Sequence, residues 1–380
     1  MQTVYFDYNA TTPVDERVVS AMLPYYLNVY GNPSNMNSAH GKEANRAYKR
    51  SLRTIADYFR IESTDGIILT SGATESNNLV IKSLVGSVKK PCRIITSKIE
   101  HDSVIKTLES LSDSVIIDYV ENDGSGRINL ADLESRITED TVLVTIIGAN
   151  NEIGTIQPIE EIAEIAHRHG VPFHCDATQL VPHRRIDLLA QNIDYVSMSG
   201  HKIYAPKGVG LLLCRDDRAL NRITPQIVGG GQQNGYRSGT INVPGIVSLA
   251  EAVKLLDAEM ESDNAICNEL FGVFFRVLDA EGIPYRLNGD TMNRIEGNIS
   301  ISIEGLTSVQ LLAALSEFSI STGSACSTGK ESHVLRAIGC PKEVISGTIR
   351  IGYGRFSKRE EIIALAEKLV GYYNRVYRNN

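Results

Sequence analysis

The chain has 380 residues, of which 42% are hydrophobic and 22% charged, and its formal net charge is −7. That is ordinary soluble composition, with length for roughly two or three domains' worth of core, and acidic charge without a basic block argues against a dedicated nucleic-acid binder. No apolar run is long enough to span a bilayer, and "MQTVYFDYNATT" has neither the basic nor the apolar part of a signal peptide, so the expected location is cytoplasmic.

From about residue 66 to 215, short apolar runs alternate with helical stretches. "GIILT" (66–70) leads to a helix through "ESNNLVIKSLV". "CRIIT" (92–96) leads to "SVIKTLESL", "SVIIDYV" (114–120) to "LADLESRI", and "TVLVTIIG" (141–148) to "IEEIAEIAHRHG". "VPFHC" (171–175), "DYVSMS" (194–199) and "GVGLLLC" (208–214) follow. Continuous apolar strands separated by helices predict an α/β fold with a mostly parallel, seven-stranded sheet between helices. After about residue 245 the pattern changes. Helical "IVSLAEAVKLLDAEM" and "AICNELFGVFFRVLDA" precede a strand, "GNISISI", and a helix, "TSVQLLAALS". Thr307 with Gln310, and Ser357 with Glu360, read as capping boxes. Ile362, Leu365, Ala366 and Leu369 form one apolar stripe. The expected division is a large domain over 15–250 and a smaller α+β domain from 1–14 and 251–380.

The six cysteines are dispersed and form no C-x-x-C pair, so a metal cluster or disulfide framework is not expected. Cys92, Cys175, Cys214 and Cys267 lie in apolar strands or a helical pattern and read as core thiols; Cys340 falls in a Gly-Cys-Pro turn. Cys326 differs. It stands in "STGSACSTGK" (321–330), with almost nothing apolar to bury it.

Several strand ends carry candidate chemistry. In "ILTSGATESNN" (68–78) a helix starts at Ala73-Thr74, and its free amides suit a phosphate; an ordinary capped turn is the simpler reading of this motif alone. In "MSGHKIYAPKGVG" (198–210), Lys202 follows a buried strand, and a desolvated lysine can form a Schiff base. Ser199 and His201 beside it offer donors to an anion. Asp176 ends the strand in "VPFHCDATQLVP", where α/β sheets bind ligands, and an ionised Asp holds a pyridine nitrogen protonated. It reads about equally well as a helix cap. Gln179 is one turn on and within reach of a ring oxygen. His101 opens a helix in "SKIEHDSV" and could stack on a flat ring and move protons. Asn151 lies in a polar loop after a buried strand. Each motif is weak alone; their conjunction points to pyridoxal 5'-phosphate (PLP).

In its motifs the chain resembles the NifS/IscS-like cysteine desulfurases of the class V aminotransferase superfamily, which have the PLP-dependent transferase fold type I. The resemblance runs from "YFDYNATTPVD" (5–15) and "GNPSNMNSAHGKEA" (31–44) to "GGGQQNGYRSGTINVPG" (229–245), "STGSACSTG" and "IRIGYGRFSKREEI". It implies Lys202 as the Schiff-base lysine, His101 as the stacking histidine, Asp176 and Gln179 as ring partners, and Ala73, Thr74, Ser199 and His201 as the phosphate cradle. It further implies that Thr240 reaches the phosphate of a second subunit in a homodimer, that Arg350 clamps the carboxylate of L-cysteine, and that Asn151 lies beside cofactor and substrate. Cys326 becomes the thiol that takes the substrate's sulfur as a persulfide and carries it to a protein acceptor, which accounts for its polar surroundings. Iron–sulfur assembly, tRNA thiolation and DNA phosphorothioation use such donors. A selenocysteine lyase or related PLP β-lyase is the alternative. Tyr8, Gln233, Asn37 and Gly352 depart from the usual family pattern, and the stretch from Cys326 to "HVLRAIG" is shorter than in many IscS-like members.

Overall fold

The computed structural model describes residues 3–88, 91–322 and 331–378. Twelve strands are formed among the described residues. The seven expected between 66 and 215 are β2 (Ile67–Thr70), β3 (Cys92–Ser97), β4 (Val115–Val120), β5 (Thr141–Ile147), β6 (Phe173–Asp176), β7 (Tyr195–Ser199) and β8 (Gly210–Cys214), preceded by β1 (Val4–Tyr5). They form one sheet in the order β2-β8-β7-β6-β5-β3-β4. Neighbours are parallel except β8, which runs antiparallel to both β2 and β7. The carboxyl ends of the other six strands therefore share one edge.

The strands are nearly all apolar because both faces are covered. Along β2, Ile67 and Leu69 join one core while Ile68 joins the other; along β8, Leu211 and Leu213 oppose Leu212 and Cys214. The helix Ala73–Gly86 covers the second face with Leu79, Val80, Ile81, Leu84 and Val85, and the helix Ile159–Arg168 covers the first.

A third core belongs to β9 (Tyr285–Leu287), β10 (Asn298–Ile303) and β12 (Thr348–Gly352), an antiparallel sheet in the order β12-β10-β9. The chain start joins it: β1 pairs in parallel with β11 (Phe318–Ser319), and Phe6 is fully buried there. The two helical stretches after residue 245 form one helix of 38 residues, Val243–Ala280. Its residues up to Leu256 pack into the large sheet's core, and those from Cys267 onward into the third. Arg355 ties the junction, contacting Asp15 at 3.1 Å and Asp263 at 2.7 Å and lying 4.2 Å over the Tyr204 ring. Thr307 and Gln310 form the expected capping box. The last helix, Arg359–Tyr377, starts one residue later than expected: Glu361, not Glu360, reaches back to the Lys358 amide. Ser357 instead accepts from the Gly354 amide. Cys175, Cys214, Cys267 and Cys340 are buried free thiols, and Cys92 is buried as well. No group of residues able to hold a metal ion, and no helix long and apolar enough to cross a membrane, occurs among the described residues.

Candidate active site

Six strand ends share one edge, and the turns after β2, β3, β5, β6 and β7 bring polar groups to a crevice there. After β2, the turn through Gly72 enters the helix at Ala73. Here backbone approaches backbone: a Cβ on Gly210 would stand 2.5 Å from the Gly72 Cα. The Ala73 amide donates to Ser199 Oγ, 2.8 Å away at the end of β7. Thr74 follows in the first helical turn, where amides have no acceptor within the helix. A tight turn over 200–202 then carries the chain past β7 and presents His201 and Lys202. His201 Nδ1 lies 3.2 Å from Thr11 Oγ1. Burial, with the positive charges of Lys202 and Lys207 nearby, pushes His201 down to about 4, so the ring is neutral near pH 7. Lys202 Nζ donates to the carbonyl oxygens of Asn9 and Ala10, the latter at 2.8 Å.

Asp176 is the last residue of β6 and is buried. Its Oδ1 accepts from the Thr178 hydroxyl at 2.6 Å and from the Thr178 amide at 3.1 Å, and its Oδ2 accepts from Asn77 at 2.7 Å. Two residues earlier, His174 sits between Thr145 Oγ1 (2.8 Å) and Ser197 Oγ (2.9 Å), and burial keeps it neutral. Gln179 donates to the Asn9 carbonyl at 2.8 Å. His101 is the N-cap of the helix Asp102–Glu109, its Nδ1 accepting from the Ser103 amide at 3.1 Å.

The opposite wall comes from distant parts of the chain. Arg350 on β12 is 1% exposed, donates to the Asn151 carbonyl at 3.0 Å and pairs with Asp7 at 2.9 Å. Glu100 accepts from Ser97 Oγ at 2.5 Å and from the Ile147 amide at 3.0 Å; burial raises it to about 8. Burial also raises Glu152. His333 Nε2 lies 3.0 Å from the Glu100 carbonyl.

These walls enclose a cavity of about 300 Å³. Ala73, Thr74, His101, Asn151, Asp176, Gln179, Ser199, His201, Lys202 and Arg350 all line it. Thr240 does not; it is exposed. Cys326 lies outside the described residues, whereas Ser321 bridges to Arg350 and His333 and Val334 line the cavity. Reasoning from sequence missed Asn9, Ala10, Glu100, Glu152 and His333 in the lining, and Asp7 behind Arg350. The segment "YFDYNATTPVD" marked the neighbourhood of Asp7, Asn9 and Ala10 but gave them no task.

Residues 4–365 match the family described as Aminotransferase class-V. The chain belongs to that family. It is 40% identical to "Cysteine desulfurase IscS" of Ehrlichia chaffeensis, over 97% of this chain and 90% of that one. A solved structure described as a NifS-like protein superposes with a TM-score of 0.91 at 34% identity, covering 98% of this chain and 99% of the other. A structure of SspA in complex with cysteine gives 0.82 at 35% identity, covering 94% and 100%. These relatives carry a large, mostly parallel sheet of PLP fold type I, as the β2–β8 sheet does.

Enzymes of this class V family depend on PLP, and the cavity's polarity suits that group. One end offers Ala73, Thr74, Ser199 and His201, an uncharged donor cradle for a phosphate. Another offers the Asp176 carboxylate for a protonated ring nitrogen, with the Lys202 amine and the His101 ring lining the same space.

Proposed function

We propose that the chain is a cysteine desulfurase: it converts L-cysteine to L-alanine and passes the sulfur through Cys326 to an acceptor protein, working as a homodimer in the cytoplasm. The observation that carries this reading is the convergence of Lys202, Asp176, His101 and Arg350 on one cavity. When bound, PLP supplies an electron sink that makes the substrate's α-proton removable and its sulfur susceptible to attack. Everything else falls to side chains of this chain. Lys202 anchors the cofactor and moves the α-proton, with His101 as the second proton-handling group. Arg350 binds the substrate carboxylate, and Asp7 with the Asn151 carbonyl fixes the plane of its guanidinium. Burial raises Glu100 to about 8, so near neutral pH it adds no charge of its own to the lining.

Cys326 then acts as the sulfur acceptor. Its thiolate forms a bond to the substrate sulfur while the Sγ–Cβ bond breaks. The proton that the Cys326 thiol gives up is balanced by the one the alanine methyl gains, and Cys326 is left as a persulfide. No external oxidant or reductant enters this step. Thr240 is exposed and off the cavity; in this reading it serves the phosphate site of a second subunit. A Cys326→Ser protein tests the reading. It should keep bound PLP and its colour, because the cradle, Asp176 and Lys202 are untouched. It should form no persulfide and release alanine at a negligible rate, because a serine hydroxyl is a poor nucleophile toward sulfur. Alanine released at the wild-type rate would remove Cys326 from the reaction.

A further inference from the structure

Asn77 stands on the second turn of the helix Ala73–Gly86, fully buried and behind the cavity lining. Its Nδ2 is 2.7 Å from Asp176 Oδ2 and 2.8 Å from Ser103 Oγ. The nitrogen must face Asp176, because an amide oxygen there would oppose a carboxylate. An amide nitrogen carries two hydrogens, so one serves each partner. With its oxygen accepting from Asn77, the Ser103 hydroxyl turns its own hydrogen to His101 Nδ1, 2.8 Å away. The Ser103 amide donates to the same ring nitrogen at 3.1 Å. Nδ1 thus receives two hydrogens, and the hydrogen of the neutral ring sits on Nε2.

We propose that Asn77 is a positioning residue that sets both ring-facing groups with one NH₂. It fixes the Asp176 carboxylate that would meet the PLP ring nitrogen, and through Ser103 it fixes the tautomer and tilt of His101. The proposal rests on the PLP reading above. A second observation supports it. The Asn77 carbonyl oxygen is buried and has no hydrogen-bond partner among the described residues. An unpaired buried acceptor is unfavourable, and an apolar side chain of similar size would avoid it. What the amide supplies in return is its two donated hydrogens.

The test measures PLP binding to apoprotein, the visible circular dichroism of the bound cofactor, and the thermal midpoint of the apoprotein. Asn77→Leu should lower the apoprotein's midpoint, because the buried Asp176 Oδ2 loses its donor, weaken PLP binding about tenfold or more, and alter the dichroism band. Asn77→Asp has the wild-type size and covers the case in which the leucine variant does not fold; it should lose the same binding. Ser103→Ala removes the hydroxyl link between Asn77 and His101 and leaves the Asn77–Asp176 bond and the backbone amide on Nδ1 in place. It should bind PLP within about twofold of wild type and lower kcat with KM unchanged. Wild-type PLP affinity and dichroism in the Asn77 variants, with only the midpoint lowered, would overturn the proposal and leave PLP dependence standing. A wild-type apoprotein that binds no PLP would overturn both.

Discussion

The two walls of the cavity are built in opposite ways. The wall on the large sheet is made of residues delivered by four strand ends of one sheet: Ala73 and Thr74 after β2, His101 after β3, Asp176 on β6, Ser199 and Lys202 at β7. The facing wall is assembled from Asp7–Ala10, the turn after β5, β12 and His333, with Asp7 and Arg350 343 residues apart in the chain. Its contacts run largely through backbone: Asn9, Ala10 and Asn151 contribute carbonyl oxygens. In the proposed reaction the first wall holds the cofactor and the second meets the substrate.

The comparison breaks most visibly at Lys202, the group on which both walls converge. Lys202→Ala should cut turnover by about 10²–10⁴-fold, the range for loss of a positioned proton-transfer group. Borohydride reduction of the wild type should fix the cofactor to a peptide containing Lys202. A label on another lysine would move the anchor elsewhere. On the facing wall the expected effect is smaller and of a different kind. Arg350→Ala should raise KM for cysteine tenfold or more while PLP stays bound, since a charge-assisted contact is worth about 1.5–3 kcal/mol. Steady-state kinetics with a cofactor titration separates the two walls. An unchanged KM would place the carboxylate site away from β12.

The same contrast explains what the sequence disclosed. The seven strands, their order along the chain and the cavity-lining residues at their ends were legible. A strand–turn–helix pattern announces itself through hydrophobic runs, and Lys, Asp and His at such turns are chemically distinctive. Asn9 and Ala10 were not legible, because a carbonyl acceptor leaves no signature in side-chain identity. Asp7 and Arg350 are an ion pair across almost the whole chain, and nothing local links them. Asn77 reads as any polar helix residue until Asp176 and Ser103 are seen beside it. The long helix was read as two stretches because residues 257–266 are exposed or half-buried. That interval contains neither Gly nor Pro, so the helix continues through it between the two cores.

A stability measurement sharpens the comparison at Glu100, where the walls touch. Burial raises its carboxyl from an ordinary 4.5 to about 8. The folded protein therefore holds this proton more tightly than the unfolded chain does. The associated stability is fully present below about pH 4.5 and is lost as the pH rises through about 8. Glu100→Gln resembles the protonated form and has no proton to lose. Thermal melts should show its midpoint gaining several degrees on wild type between about pH 5 and pH 8. A pH-independent difference would mean that Glu100 is ionised throughout.

The smallest effect is expected far from the reacting groups, at the sheet's open edge. β2 is an end strand, so Leu69 has its amide and carbonyl turned away from β8. The Gln233 side chain answers both: its Oε1 accepts from the Leu69 amide at 2.7 Å, and its Nε2 donates to the Leu69 carbonyl at 3.0 Å. One amide group therefore does for a single residue what a neighbouring strand does along an edge. The same Nε2 lies 3.3 Å from the Arg237 carbonyl, and Arg237 pairs with Glu75 at 2.9 Å in the first turn of the cofactor-side helix. Gln233→Ala should cost about 1–3 kcal/mol of stability, at roughly 0.5–1.5 kcal/mol for each of the two hydrogen bonds to Leu69. PLP affinity should stay within about twofold, because Glu75 and its helix remain held by the core beneath them. Chemical denaturation of the apoprotein beside a PLP titration reads both quantities. A loss of cofactor affinity as large as that of the Asn77 variants would make this edge part of the phosphate site rather than a strand cap.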